Sequence, residues 1–129
     1  MKLRLSSVIG WLCVGLVAAF HVFAIVMKFI PLAPGSEGEE FAKRLGTYGL
    51  EYPLGVMEIL IVLLYVIPRT STVGFVLMVG YMGGALATNL THGFPLADCT
   101  PLFVLFALMT LGAYFRNPEL LTRIQGKKA

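Results

Sequence analysis

The chain has 129 residues, 57% hydrophobic and 13% charged, where a soluble domain carries about 45–50% and about 25%. A water-soluble globule this small needs more charge to cover its surface, so lipid must cover the rest; disorder, collagen and a disulfide-stapled secreted module are excluded by the high apolar content and the two cysteines. The net charge of +3 comes from basic residues scattered at segment ends, not from a basic stripe interleaved with aromatics, so no nucleic acid is expected as a partner and membrane topology accounts for the charge.

Crossing a hydrocarbon core of about 30 Å takes about 20 helical residues, and four apolar stretches approach that length, over residues 7–30, 52–67, 73–91 and 99–116. The first is apolar from Val8 to Met27 apart from its glycines and His21, and it follows Lys2 and Arg4. That is also the profile of a secretory signal with Val22-Phe23-Ala24 as the cleavage site. Continuation of the apolar run to Ile30 favours a retained span.

The long connection from Pro31 to Glu51 follows. Ser36 and Glu39 have capping-box spacing, Gly46 is a stop, and Phe41 and Leu45 share a face. A short amphipathic helix lying at the membrane surface is expected; the alternative is a mobile polar loop, because Gly38 weakens the helix by about 1 kcal/mol.

The second apolar stretch, Tyr52 to Ile67, has Glu58 inside it, Pro53 near its start and Pro68 as its stop. The third, Val73 to Leu90, is uncharged and rich in small residues, with Gly80 and Gly84, and Gly83 and Ala87, four apart. Small residues let helices approach closely, so packing inside the bundle is expected of this face, with a homo-oligomer contact through Gly80 and Gly84 as the alternative. The fourth, Pro101 to Phe115, is short and borrows Cys99 and Thr100. Cys13 and Cys99 fall at different depths, too far apart for a disulfide.

Short hairpins at Pro68 to Thr72 and at His92 to Thr100 force antiparallel neighbours. The expected fold is all-α, a four-transmembrane-helix antiparallel bundle with a short amphipathic helix in the first external loop, residues 1–129 forming a single integral membrane domain. Placing both termini on one side groups Lys2, Arg4, Arg69, Arg116, Arg123, Lys127 and Lys128 there, against Lys28, Lys43 and Arg44 opposite. By the positive-inside rule the termini are then cytoplasmic and the protein is a multi-pass protein of the cell inner membrane.

A charge in mid-span costs about 2.5–3.5 kcal/mol on insertion scales, so each one needs a partner or a purpose. The alternating directions of the spans bring Glu58, His21, Lys28, Thr88, Asn89 and His92 to the outer half. Tyr81, Ala85, Thr88 and His92 form one helical stripe, and Gly55, Glu58, Val62 and Tyr65 another. Stripes facing inward would line a polar cavity, apolar below, the usual form of a small-molecule site. Structural alternatives stand beside this: His21 as an interhelical hydrogen bond, Glu58 as a protonated structural group, His92 as a solvated loop residue, and Lys28 snorkelling to the head groups. Glu58, His21 and His92 come from three helices without an i, i+3 or i, i+4 ligand pair, so no metal is assigned. Asn89-Leu90-Thr91 matches a glycosylation sequon but sits at a span end.

Ile67-Pro68-Arg69-Thr70, Gly74, the segment Gly80-Tyr81-Met82-Gly83-Gly84-Ala85-Leu86-Ala87-Thr88-Asn89 and His92-Gly93 carry a family likeness. Together with Lys28-Phe29, Glu58 and Tyr114-Phe115-Arg116 they resemble the DoxX-like family of small four-helix membrane proteins. The resemblance implies an inner-membrane protein, some of whose relatives are associated with quinone-linked thiosulfate oxidation or oxidative-stress complexes.

Three functions are expected to compete. In the first, a lipophilic small molecule, quinone- or isoprenoid-like, binds among Glu58, His21, Asn89, Thr88, Tyr81 and Tyr65. No cofactor is evident in the sequence, so a redox or membrane-complex partner would supply electrons. In the second, a membrane-embedded isomerase or hydrolase uses Glu58, His21 and His92 as catalytic acid and bases. In the third, the chain is a non-catalytic accessory or assembly subunit.

Overall fold

From Leu5 to Phe29 the first apolar run winds into one 25-residue helix, α1, which at 1.5 Å per residue is about 37 Å long. A computed structural model describes residues 4–126, so Lys2, Lys127 and Lys128 of the charge count lie outside the described residues. After α1 come α2 (Glu37–Leu45), α3 (Glu51–Val66) and α4 (Ser71–Thr91); a 3-10 turn, Leu96–Cys99, leads directly into α5 (Thr100–Arg116), and α6 (Pro118–Ile124) follows. Among the described residues there is no strand.

Among the described residues three segments are long and apolar enough to cross a membrane: Leu5–Phe29, Ser71–Thr91 and Leu96–Arg116, with mean hydropathies of 2.3, 1.5 and 1.8. The 3-10 turn supplies the extra length that α5 alone lacks, with Pro101 in its first turn where a missing N–H costs nothing. α3 is as apolar but has only 16 residues.

α1 packs on α3 and α5, and α4 closes the set by packing on α3 and α5. α3 runs antiparallel beside α1. At one end a Cβ on Gly55 would meet the Phe29 ring. At the other, Arg116, at the end of α5, lies over the Trp11 ring and donates to the carbonyls of Tyr65 and Val66. The core is Val14 and Val17 of α1, Ile61, Val62 and Tyr65 of α3, Met78 and Met82 of α4, and Leu105 and Met109 of α5. Large apolar side chains such as Leu12, Leu16, Phe23, Leu60, Val76 and Val104 point outward instead. In water that would be an aggregation surface; against acyl chains it is the expected covering.

At Gly74 α4 lies hard against α3, and a Cβ there would strike the backbone of Leu64 and Tyr65. Gly80, Gly83 and Gly84 behave differently: a Cβ at any of them would meet nothing within 4 Å. The expectation that this small-residue face packs inside the bundle is therefore corrected. Spacing shows that a backbone could approach, but rotation of the helix decides which face does, and α4 turns Ser71, Gly74, Met78 and Met82 inward.

α2 forms as its signals require. Ser36 Oγ accepts from the Glu39 N–H at 3.3 Å, and Gly46 closes the helix at a left-handed φ of 73°. Glu39 reaches back to the Gly35 N–H at 2.6 Å, one residue beyond the usual capping-box partner. Phe41 and Arg44 both pack on the buried Phe94 ring, which fastens α2 to the turn after α4. Cys13 and Cys99 are buried free thiols. α6 is not among the elements expected from the sequence; Asn117, buried ahead of it, donates to Ser71 Oγ at 2.7 Å and Thr72 Oγ1 at 3.0 Å, and Glu119 accepts from the Thr72 hydroxyl, which holds its carboxyl below its ordinary value.

Candidate functional site

α1 buries Gly10, Cys13, Val14, Val17 and His21, a stripe at helical spacing in which His21 is the one ionisable imidazole. α3 buries Gly55, Glu58, Ile61, Val62 and Tyr65. Because the two helices are antiparallel neighbours, the stripes face each other, and His21 meets Glu58: Nδ1 lies 2.5 Å from Oε1. Each residue is 1% exposed. The other carboxylate oxygen accepts from Lys28 Nζ at 2.6 Å and from the Tyr81 hydroxyl at 3.1 Å. Three donors from α1 and α4 thus converge on one carboxylate from α3.

Gly55 makes the ion pair reachable. It lies one turn before Glu58, and a Cβ there would meet the Phe29 ring at 2.8 Å and Lys28 Cβ at 3.5 Å. Without that Cβ the end of α1 closes on α3, and the lysine stem folds inward. This corrects the expectation that Lys28 snorkels to the head groups: its side chain is 24% exposed and its ammonium is spent on Glu58. A buried carboxylate is costly without a counter-charge, and Lys28 is the cation within reach.

Nδ1 faces the Glu58 carboxyl, which leaves Nε2 on the far side of the ring. Nε2 is buried and has no hydrogen-bond partner. The rings of Phe20 and Tyr81 lie edge-on to His21, with centroids at 5.7 Å and 6.2 Å. The cluster fills its own space, where the sequence reading expected an open polar cavity. The open volume it touches is a cleft of about 260 Å³ beside Lys28, lined also by Pro31, Leu32, Tyr48, Glu51 and Tyr52.

Of the residues expected to bind a ligand or catalyse, His21, Glu58 and Tyr81 come together, joined by Lys28, and the others do not. His92 is exposed; its Nδ1 pairs with the Thr88 carbonyl at 2.8 Å and its ring covers Gly46, so it supports the α2 turn instead of facing Glu58. Thr88 and Asn89 each donate to the carbonyl four residues back, Gly84 and Ala85, at 2.8 Å. Short polar side chains on a helix readily satisfy themselves this way, which spacing alone does not reveal. Tyr65 shares the Glu58 stripe but lies two turns away, its hydroxyl buried beside Gly112 and without a partner. Among the described residues no three His, Cys, Asp or Glu side chains gather to hold a metal.

Two residues outside the expected site matter more than their sequence roles suggested. Lys28 was readable, being seven residues from His21 on one face with an unpaired acid in the neighbouring span. Arg116 entered the sequence analysis through the topology count and the Tyr114-Phe115-Arg116 segment of the family likeness, neither of which gives it a contact. Its guanidinium binds the last carbonyls of α3, at 2.8 Å from Tyr65 O, and stacks over Trp11 with 4.4 Å to the ring centroid.

An all-helical chain with three helices fit to cross a bilayer, an apolar exterior and its charges paired inside is a membrane protein. It belongs to the DoxX-like family, which it matches over residues 12–112, a stretch that takes in His21, Lys28, Glu58 and Tyr81. No curated protein and no solved structure matches the chain.

Proposed function

We propose that residues 1–129 form one integral domain of four antiparallel spans in the inner membrane, and that its His21–Glu58 site binds the polar head of a small lipophilic molecule, quinone- or isoprenoid-like. α3 is the fourth span in this reading. It lies beside α1 from Phe29 to Trp11 and between two helices of span length, so it crosses wherever they do. The positive-inside rule puts the termini in the cytoplasm and α2 outside.

The observation that carries the ligand reading is the buried, unpartnered Nε2 of His21. Leaving a buried polar atom unpaired costs about 1–3 kcal/mol, and a ligand atom placed there recovers it. The ligand's apolar body would lie between the helices or in the surrounding lipid. In a redox setting His21 would exchange a proton as a quinone gains or loses electrons, which a partner protein supplies. Native mass spectrometry of the detergent-extracted protein tests this: a lipophilic adduct of defined mass should persist in the wild type and be lost in His21→Phe. An adduct-free wild type refutes it.

The Glu58–His21 geometry also favours a second reading, a membrane-embedded isomerase or hydrolase. A carboxylate that orients an imidazole whose other nitrogen is free is the arrangement of a general base and its positioning partner. Turnover of a lipophilic substrate that Glu58→Gln abolishes while binding survives would separate it from simple binding. The open face of Gly80, Gly83 and Gly84 supports a docking role, for a second copy of the chain or for a subunit of a larger complex.

A further inference from the structure

We propose that the cleft beside Lys28 binds a primary ammonium group, that of an ethanolamine headgroup from the surrounding lipid, and that Glu51 is its acceptor. This site is separate from the His21 site and does not rest on what binds there.

The acids of the chain single out Glu51. Of the seven Asp and Glu residues, Glu39 is paired with Lys43, Glu58 with Lys28 and His21, and Glu119 with Thr72 and Asn117, while Glu37, Glu40 and Asp98 are exposed to water. Glu51 is neither paired nor exposed. It stands partly buried at the start of α3, its Oε1 buried without a hydrogen-bond partner, and no salt bridge reaches it among the described residues. Its side chain also lines open space, the cleft of about 260 Å³.

The cations at this end of the bundle are committed elsewhere. Lys28 is held by Glu58 at 2.6 Å, Lys43 by Glu39 at 2.5 Å, and Arg44 lies over the Phe94 ring. The Glu51 carboxylate is therefore left for a partner from outside the chain, and it gains most from one that brings both positive charge and N–H donors. A primary ammonium brings both. A quaternary ammonium brings charge alone and is recognised by open aromatic faces. Here Lys43 already lies over the Tyr48 ring at 5.0 Å, and the Tyr52 ring packs against Phe29 with centroids 5.4 Å apart.

The position of the cleft identifies the source of the ammonium. It lies where α1 ends and α3 begins, with Tyr48 and Tyr52 exposed at its edge, and tyrosines at the ends of spans mark the level of the lipid headgroups. Its volume is below the roughly 300–1,000 Å³ of sites that engulf a drug-sized ligand, so it takes a headgroup and leaves the acyl chains outside. The phosphate of that headgroup is also provided for: α3 begins without a side-chain cap, so its first N–H groups are open to an anion, with Lys28 on the same cleft.

The test titrates the full chain, delipidated in dodecyl maltoside, with an equimolar mixture of dioleoyl phosphatidylethanolamine, phosphatidylcholine and phosphatidylglycerol, and reads bound lipid by native mass spectrometry. One phosphatidylethanolamine should be held about tenfold more tightly than phosphatidylcholine, as one added charge-assisted hydrogen bond allows. Glu51→Ala should lower it to the phosphatidylcholine level, while folded His21→Phe keeps the preference. If Glu51→Ala does not fold, stepwise N-methylation of the ethanolamine decides on the wild type: affinity should fall as N–H donors are removed at constant charge. Equal binding of the ethanolamine and choline lipids, or a preference that survives in Glu51→Ala, overturns the proposal. A stronger preference for phosphatidylglycerol overturns it too, by showing an anion site built on Lys28. Loss of the preference in folded His21→Phe assigns the lipid to the His21 site and overturns the separate cleft. Soluble glycerophosphoethanolamine that displaces the lipid at equal concentration leaves the ammonium site standing and overturns its lipid source.

Discussion

Lys28 and Glu58 are thirty residues apart in the chain and 2.6 Å apart in the fold, the lysine reaching inward from the end of α1 to a carboxylate buried at 1% exposure. The pair neutralises what would otherwise be an uncompensated charge among apolar helices. Removing one member of such a pair costs about 3–5 kcal/mol, and removing both charges costs far less. Lys28→Met is therefore expected to lower thermal stability in detergent sharply, and Lys28→Met combined with Glu58→Gln to restore most of it. A double variant no more stable than the single one would show that Lys28 does not serve to neutralise Glu58.

The glycines divide into two groups by what a methyl group would meet. Gly74→Ala drives a Cβ into the backbone of Leu64 and Tyr65, which cannot move aside without separating α3 from α4; a loss at or above the 1–3 kcal/mol typical of overpacking, about 3 kcal/mol, is expected. Gly80→Ala and Gly84→Ala meet nothing within the chain. An isolated chain should gain from each about 0.5–1 kcal/mol of helix propensity. Measured by thermal unfolding, stabilisation at Gly80 and Gly84 indicates a face open to lipid. Destabilisation accompanied by a smaller particle on size exclusion indicates a helix docked there from another chain.

How much of this was legible beforehand follows from the kind of signal each feature gives. α2 was readable to the residue because its determinants are local: the Ser36 cap, the Gly46 stop and the acidic first turn act within a few positions. The helical stripes on α1 and α3 were equally plain, and once the two helices are antiparallel neighbours His21 and Glu58 must meet. What escaped depends on rotation and reach. Thr88, Asn89 and His92 lie on the right stretch of α4 and turn back onto their own carbonyls. The Gly80–Gly84 face has the composition of a packing surface, but the bulk of Met78 and Met82 already fills the inward side. α6 went unseen because its anchor, buried Asn117, is held by Ser71 and Thr72 from a distant turn.

Arg116 should prove irreplaceable by lysine. Its planar guanidinium donates to two α3 carbonyls while stacking over Trp11, and an ammonium cannot do both. Arg116→Lys is expected to destabilise by about 1–2 kcal/mol, the worth of a partly buried cation–π contact with its hydrogen bonds. Trp11 is the single tryptophan, so its fluorescence reports the change directly. Release of the stacked cation should alter its emission in Arg116→Lys as much as in Arg116→Ala. An unchanged spectrum in the lysine variant would mean that charge alone suffices.

The surface helix α2 should depend on pH at both extremes. The Lys43 ammonium at 2.5 Å, helped by the Gly35 N–H, holds the Glu39 carboxyl below its ordinary value of 4.5, and the same contact raises Lys43 above 10.5. A carboxyl lowered on folding contributes stability above its unfolded value and loses it as pH falls through the folded one. An amine raised on folding contributes below its unfolded value and loses it as pH rises through the folded one. α2 is thus most stable between the two ordinary values, loosening below the acid one and above the basic one. Amide protection factors at Gly35 and Glu39, corrected for the pH dependence of intrinsic exchange, should fall in acid while the core of α1 and α5 stays protected, because what otherwise fastens this helix to the turn after α4 is a small set of contacts, Phe41 and Arg44 on Phe94 and His92 over Gly46. In Glu39→Gln the acid transition should disappear, since glutamine keeps an acceptor for the Gly35 N–H but has no charge to lose. Acid loosening that persists in Glu39→Gln would assign the effect to Glu37 or Glu40, the other acids of the first turn.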